Sequence, residues 1–383
     1  MWMETKTDVE EARRSRTSFS RRVLNTLLSC TGDMKHLDEY MEDKLFVLQL
    51  VVWALRGVAR VTLANNPLTG ALILAALYWA SPWQGLLGTL GVLVSTLTAV
   101  IMGQDSAEVA GGLYGFNGML VSLLMGVFSS AGDWYGWLLL PVCFGSATCV
   151  FLFSGLSSVL DRWDLPVAVF PFNIIIILYL VCAGQDNPYF PHLPALPPGT
   201  LESNGTKLMA TEVMRGIPLG VGQIFACGAL GPSLLILGAL LLYSPLMALH
   251  ALLGSAVGTL AGLSMAVRHD SLYSGLSGFN GALGCMAVGG LFFTFSWRTH
   301  LLAIVSAFLS AYADIALSNL LGTVGLPACS LAATLTATLM LLLTGSLAAY
   351  RIPIGQVMAP EHNLRSRSQW TAGNATETES TDV

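Results

Sequence analysis

The string Gly112-Leu113-Tyr114-Gly115-Phe116-Asn117-Gly118 returns 163 positions later as Gly275-Leu276-Ser277-Gly278-Phe279-Asn280-Gly281. The surrounding chain keeps the same offset: Gly57-Val58 matches Gly220-Val221, Ser81-Pro82 matches Ser244-Pro245, and Leu90-Gly91 matches Leu253-Gly254. Leu138-Leu139 matches Leu301-Leu302, and Leu165-Pro166 meets Leu326-Pro327 two residues out of phase. Solenoid repeats have periods of roughly 20–50 residues, so a unit this long is a duplicated half-molecule rather than a stacked array. Any fold must accommodate two copies of one architecture.

The solvent around those copies is lipid. The chain is 54% hydrophobic and 11% charged, where soluble chains carry roughly 25% charge. Of 18 Lys and Arg, eight precede residue 46 and three follow residue 350. The 305 residues between hold only Arg56, Arg60, Arg162, Lys207, Arg215, Arg268 and Arg298. Such charge-poor stretches belong in a membrane. The net charge of −5 sits in tails and loops without a basic stripe, which argues against a nucleic-acid partner. The seven cysteines lie mostly in apolar segments without zinc-type spacing and read as small packing residues. No metal and no cofactor is implied. Residues 1–45 contain no signal-peptide core, so the first membrane segment acts as its own insertion signal.

Five regions follow. Residues 1–45 read as a mobile, cytoplasmic polar tail with an amphipathic stretch near Met34 to Lys44 at the membrane surface, 46–183 as a first transmembrane repeat, and 184–212 as a Pro-rich extracellular loop. Residues 213–350 read as the second repeat and 351–383 as a disordered cytoplasmic tail. Apolar blocks at 68–80 and 231–243 are too short to span and occupy corresponding places in the two halves. A bilayer core needs about 20 helical residues. Paired interruptions of this kind point to half-helices that end inside the membrane around a transport site. The expectation is an all-α polytopic membrane protein: two repeats of about five transmembrane helices, each with a short re-entrant helix. The Arg-rich N-terminus should stay cytoplasmic. The sequon Asn204-Gly205-Thr206 suits an external loop. Together these give an odd number of spans per half, hence inverted repeats; a second sequon at Asn374 would be cytoplasmic and unused.

No acid/base pair, nucleophile constellation or metal cluster stands out. His250 and His300 read as packing residues near helix ends. Asp105 and Asp270 read as interfacial, whereas Asp314 lies in an apolar run without a twin in the first half. A buried carboxylate there would point to ion coupling. Asn117 and Asn280 recur in the repeated string, and a buried Asn left unpaired costs about 1–3 kcal/mol. They either brace an interrupted backbone or hold carbonyls that line a polar path.

The chain resembles the vertebrate facilitative urea transporters over about residues 31–350. The resemblance is carried in the first half by Thr31-Gly32-Asp33-Met34-Lys35, Asn65-Asn66-Pro67-Leu68-Thr69-Gly70, Gly112 to Leu120, Leu138 to Cys143, Trp163-Asp164-Leu165-Pro166-Val167 and Pro171-Phe172-Asn173. The second half adds Ile217 to Ile224, Ser244-Pro245-Leu246-Met247, Gly278-Phe279-Asn280 and Gly325-Leu326-Pro327-Ala328-Cys329. It implies two inverted five-helix repeats, a pore through each subunit, a homotrimer in the plasma membrane with lipid around it, and passive urea flow. In that family urea passes in single file between aromatic side chains and donates its amide hydrogens to a ladder of oxygens. Fixed protein groups must replace its water shell, yet bind weakly enough to release it.

Carried over residue by residue, that ladder is partial. Gln223 matches a pore glutamine, but Arg60 stands at its first-half counterpart. Asn66-Pro67 is replaced by Ala229-Leu230, and the two narrow-region threonines by Val169 and Ser330. Asn66, Asn117, Asn173 and Asn280 are expected on the polar path or in its bracing. Arg has five donors and no acceptor, so it does not reproduce glutamine's carbonyl. Either its charge sets selectivity, or it turns away to pair with a loop carboxylate or carbonyl. Two alternatives remain open. One is a same-fold channel for ammonia, a urea analogue or an anion. The other is an ion-coupled transporter using Asp314. An enzyme is the least expected class.

Overall fold

The computed structural model describes residues 29–184, 187–199 and 207–364. It is helical, with no strand among the described residues. A short α1 (Lys35–Met41) precedes two sets of seven helices. The first set is α2 (Phe46–Arg60), α3 (Pro67–Ala80), α4 (Pro82–Ile101), α5 (Ser106–Ala110), α6 (Gly115–Phe128), α7 (Leu139–Leu160) and α8 (Phe170–Ala183). The second is α9 (Ala210–Gly222), α10 (Leu230–Tyr243), α11 (Pro245–Ser264), α12 (His269–Tyr273), α13 (Phe279–Met286), α14 (Trp297–Gly322) and α15 (Leu331–Leu341). Four stretches are long and apolar enough to cross a membrane: 82–101, 136–163, 245–264 and 297–322. A fifth is formed if α9 and α10, bent by 75° at their junction, count as one broken span.

Local sequence explains why the copies fold alike. Ser81 and Ser244 cap α4 and α11, accepting from Gln84 N at 3.3 Å and Met247 N at 3.0 Å. Pro82 and Pro245 follow at the first helical position, where a missing N–H costs nothing. The closest helix packing in each half, α4 on α6 and α11 on α13, needs glycine. A Cβ on Gly91 would sit 2.4 Å from Gly118 O, and one on Gly254 would sit 2.4 Å from Gly281 O. The repeated string begins with left-handed Gly112 (φ +74) and Gly275 (φ +83), where a Cβ would come within 2.4 Å of Gly57 N and Gly220 N respectively. Only glycine meets both the dihedral and the space.

Two contacts join each half to its own counterpart, α3 with α10 and α8 with α15, as a two-fold relation requires. Thr69 Oγ1 donates to Ala239 O at 3.1 Å in the first of these. The equivalent long helices run in opposite directions. The approach to α7 meets the 187–199 segment through Tyr135 OH on Tyr189 O (2.8 Å), and its far end meets Arg351 through Asp164 Oδ2 (3.1 Å). For α14 the order is reversed: Thr294 N donates to Tyr350 O at 2.8 Å before it, and Asn319 Oδ1 near its end accepts from Gly199 N at 2.9 Å. One apolar core runs through both halves.

The described ends differ from the expected mobile tails. Asn66 Nδ2 donates to Cys30 O at 2.9 Å and Gly32 O at 2.7 Å, and buried Arg56 donates to Asp38 Oδ1 at 2.7 Å and Asn65 Oδ1 at 2.9 Å. Asp33 accepts from Tyr243 OH and from Ala359 N, both at 3.0 Å, which ties the two ends of the chain together on one side. Asn363 Nδ2 donates to Gly290 O at 2.9 Å and Leu291 O at 3.0 Å. Asn66, Asn363 and, through Ala359 N, Asp33 are fixed because they bond backbone groups that would otherwise lack partners. Asn204 and Asn374 lie outside the described residues.

Candidate solute path

A cavity of about 1520 Å³ lies between the halves and is lined by both. Its apolar wall is built from equivalent positions: Leu63, Leu113, Phe116 and Leu120 from the first half, Ala226, Leu276, Phe279 and Leu283 from the second. Leu63 (φ 63) and Ala226 (φ 54) are both left-handed, so the backbone turns alike where α2 and α9 end. Sequence reading did not single out these two, since nothing in a Leu or an Ala announces that conformation. Phe116 and Phe279 were visible as members of the repeated string.

Arg60 and Gln223 line the cavity at matching stations. Arg60 Nε donates to Gly111 O at 2.9 Å, and Gln223 Nε2 donates to Ser274 O at 2.9 Å. Arg60 therefore pairs with a loop carbonyl through Nε without turning away from the cavity, which it still borders. Gln223 leaves a carbonyl oxygen for the cavity; Arg60 leaves two amino groups, all donors.

Val169 and Ser330 also line the cavity, at the starts of α8 and α15. The four asparagines do not; they stand behind it. Asn117 Nδ2 donates to Ala168 O at 3.1 Å while its Oδ1 accepts from Phe172 N at 3.0 Å. Asn280 repeats this with Cys329 O at 2.9 Å and Ala333 N at 3.1 Å. Ala168 and Cys329 are both left-handed at φ 49, so each Asn holds a non-glycine turn that presents the next residue, Val169 or Ser330. Asn173 Nδ2 donates to Val169 O at 2.8 Å and reaches Ser330 Oγ at 3.4 Å, linking the halves. Asn66 caps α3, its Oδ1 accepting from Leu68 N at 2.9 Å and Thr69 N at 3.0 Å. Its other bonds go to the segment at Cys30 and Gly32, which exists once, so Ala229 in the second copy has nothing comparable to hold.

Charged side chains border the cavity unequally. Asp38, Glu42, Glu108 and Asp161 line it, as do Arg268 and Asp314. Arg268 N bonds Pro198 O at 2.9 Å, whereas Asp161 opens the turn whose Asp164 carboxylate binds Arg351. Glu108 accepts from Tyr114 OH at 3.0 Å, and burial pushes its carboxyl above the ordinary 4.5, the phenol bond partly opposing this. Asp314 accepts from Ser318 Oγ at 3.2 Å. At the 161-residue offset that relates Leu165-Pro166 to Leu326-Pro327, Phe153 and Ser157 correspond to Asp314 and Ser318, and both line the cavity. Asp314 thus has a positional twin of different chemistry. Among the described residues no three His, Cys, Asp or Glu converge as a metal site.

The lining combines apolar faces with donors and acceptors at separate stations. Residues 51–345 match the family model described as Urea transporter. The chain is 43% identical over 346 residues to Urea transporter 1 of Ovis aries, covering 90% of each protein. It is also 43% identical over 342 residues to Urea transporter 1 of Rattus norvegicus, covering 89% of each. The four spanning helices, the two-fold cavity and these matches make this a membrane protein, and the chain belongs to the urea transporter family.

Proposed function

We propose that this chain forms a channel-like path for urea, which flows down its own gradient between the two halves. The observation that carries the reading is the cavity lined at equivalent stations by both halves, with Gln223 and Ser330 offering acceptors and Arg60 donors. Urea is flat, neutral and bears one carbonyl and two amino groups. Apolar faces such as Phe116 and Phe279 suit its plane, and the polar stations suit its edge. Weak, separated sites favour passage over retention. Asn117, Asn173 and Asn280 keep the stations in place from behind, and Asn66 fixes the start of α3. The activity is transport, as the family is, and not catalysis.

In this reading the protein sits in the plasma membrane as a homotrimer with one path per subunit. The side that carries Asp33 and Ala359 is cytoplasmic, and Asn204 is an external glycosylation site. The experiment that tests the reading is uptake of labelled urea into proteoliposomes. Urea should equilibrate to the outside concentration and no further. Accumulation above it, driven by a sodium or proton gradient, would contradict passive flow.

A further inference from the structure

Among the described residues no carboxylate pairs directly with Arg60; Asp33 and Tyr243 act on its charge only from a distance. Only its Nε–H is used among the described residues, on Gly111 O at 2.9 Å, and neither terminal nitrogen has a partner there. Among the described residues no carboxylate lies within 4.0 Å of it; the ion pairs present are Arg56–Asp38, Arg215–Glu212 and Arg351–Asp164. The side chain is half-buried and borders the cavity, so the unpaired guanidinium faces the path. A charge at such a depth is costly unless something pairs with it.

The bond from Nε to Gly111 restrains the guanidinium plane. The two amino groups then form a fork whose spacing suits two oxygens of one planar anion. Leu63, whose N–H bonds Arg60 O at 2.9 Å, and Leu113 on the same cavity wall are apolar and screen the charge poorly, which strengthens an ionic contact. Gln223, at the matching station, is neutral and has no such fork, so the site exists once per chain. Of the carboxylates on the cavity wall, Asp38 pairs with Arg56 at 2.7 Å, Glu108 takes the Tyr114 hydroxyl at 3.0 Å, Asp161 the Ser157 hydroxyl at 2.8 Å and Asp314 the Ser318 hydroxyl at 3.2 Å.

We propose that the Arg60 fork is a binding site for a small planar oxyanion of the carboxylate or nitrate type, which lodges in the path and slows urea. This rests on the cavity being the urea path. Such an anion has urea's flatness and size, so a slot wide enough for one admits the other, while the charge holds it longer.

The test measures urea entry into proteoliposomes with sodium nitrate against sodium chloride at equal ionic strength. In parallel it measures thermal unfolding of the detergent-solubilised protein in the same salts. Nitrate should slow urea and raise the unfolding temperature of the unmodified chain. Arg60→Gln should weaken both effects at least tenfold in the nitrate concentration required. Arg60→Lys, which keeps the charge but not the fork, should lie between and covers failure of the first variant to fold. Nitrate effects of equal size in Arg60→Gln, or absent from the unmodified chain, overturn the proposal. Nitrate stabilisation that depends on Arg60, in a protein that passes no urea in any salt, would uphold the anion site and remove the urea reading.

Discussion

Arg60 and Gln223 make the same bond in the two halves: each donates a side-chain N–H to a loop carbonyl, Gly111 O and Ser274 O, at 2.9 Å. The backbone sees the same donor at both stations, and only the solute sees the difference. The scaffold of the repeat is therefore preserved while its chemistry is not.

Arg60→Gln restores an acceptor to the first station without disturbing the Gly111 bond. A hydrogen bond is worth about 0.5–1.5 kcal/mol, so urea entry should rise by roughly two- to tenfold. The reciprocal Gln223→Arg removes the acceptor from the second station and should lower it by a similar factor. Stopped-flow shrinkage of proteoliposomes in urea reads both.

Asn280→Ala orphans Cys329 O and Ala333 N, and Asn117→Ala orphans Ala168 O and Phe172 N. Each unsatisfied buried group costs about 1–3 kcal/mol. Both variants should unfold at clearly lower temperature than the parent, by comparable amounts. A drop in one half alone would mean that the two braces are not equivalent.

Gly112→Ala and Gly275→Ala each force a left-handed alanine whose Cβ would lie 2.4 Å from backbone nitrogen. Neither backbone can yield cheaply, so both variants should fail to yield a monodisperse protein in size-exclusion chromatography. Gly132→Ala has open space, although its φ of +84 is also left-handed, and should be tolerated far better.

Glu108 gives a pH signature. Its carboxyl is pushed above 4.5, chiefly by burial. A group whose folded value is raised contributes stability that is full below the unfolded value and lost as pH rises through the folded one. Glu108→Gln does not titrate, so its unfolding temperature should gain on the parent's as pH rises from about 4 to 7. A constant gap across that range would place the carboxyl at its ordinary value.

Asp33 joins the two ends of the chain through Tyr243 and Ala359. Asp33→Ala should speed amide exchange over residues 357–363 while leaving the centres of α4 and α11 protected. Unchanged exchange there would show that Asn363, bonded to Gly290 O and Leu291 O, holds the segment unaided.

Much of this molecule was legible in the residues. The offset of 163 located both copies, and the short blocks at 68–80 and 231–243 became α3 and α10, each 14 residues long. Arg60, Gln223, Val169 and Ser330 were marked by the family resemblance carried over residue by residue, and the copies differ there. The hidden parts share one property: their partners are distant in the chain. Arg60 meets a carbonyl 51 positions away, and Asp33 meets an amide 326 positions away. No local pattern encodes such pairs, which is why polar ends read as loose tails. The departure at Ala229 looked like lost pore chemistry, but Asn66 serves a terminal segment that has no second copy. Leu63 and Ala226 escaped notice because a left-handed turn leaves no mark on residues of that kind.

The measurement that bears most directly on a urea path between the halves is the initial rate of urea entry into proteoliposomes of the unmodified chain and of Ser330→Trp. Ser330 lines the cavity at the N-cap of α15, so an indole there enters the slot at the cost of the Asn173 contact. The expected result is rapid entry through the unmodified chain, with Ser330→Trp falling to the rate of protein-free vesicles at equal incorporation. Entry through the unmodified chain no faster than through empty vesicles, or equally fast through Ser330→Trp, would contradict it.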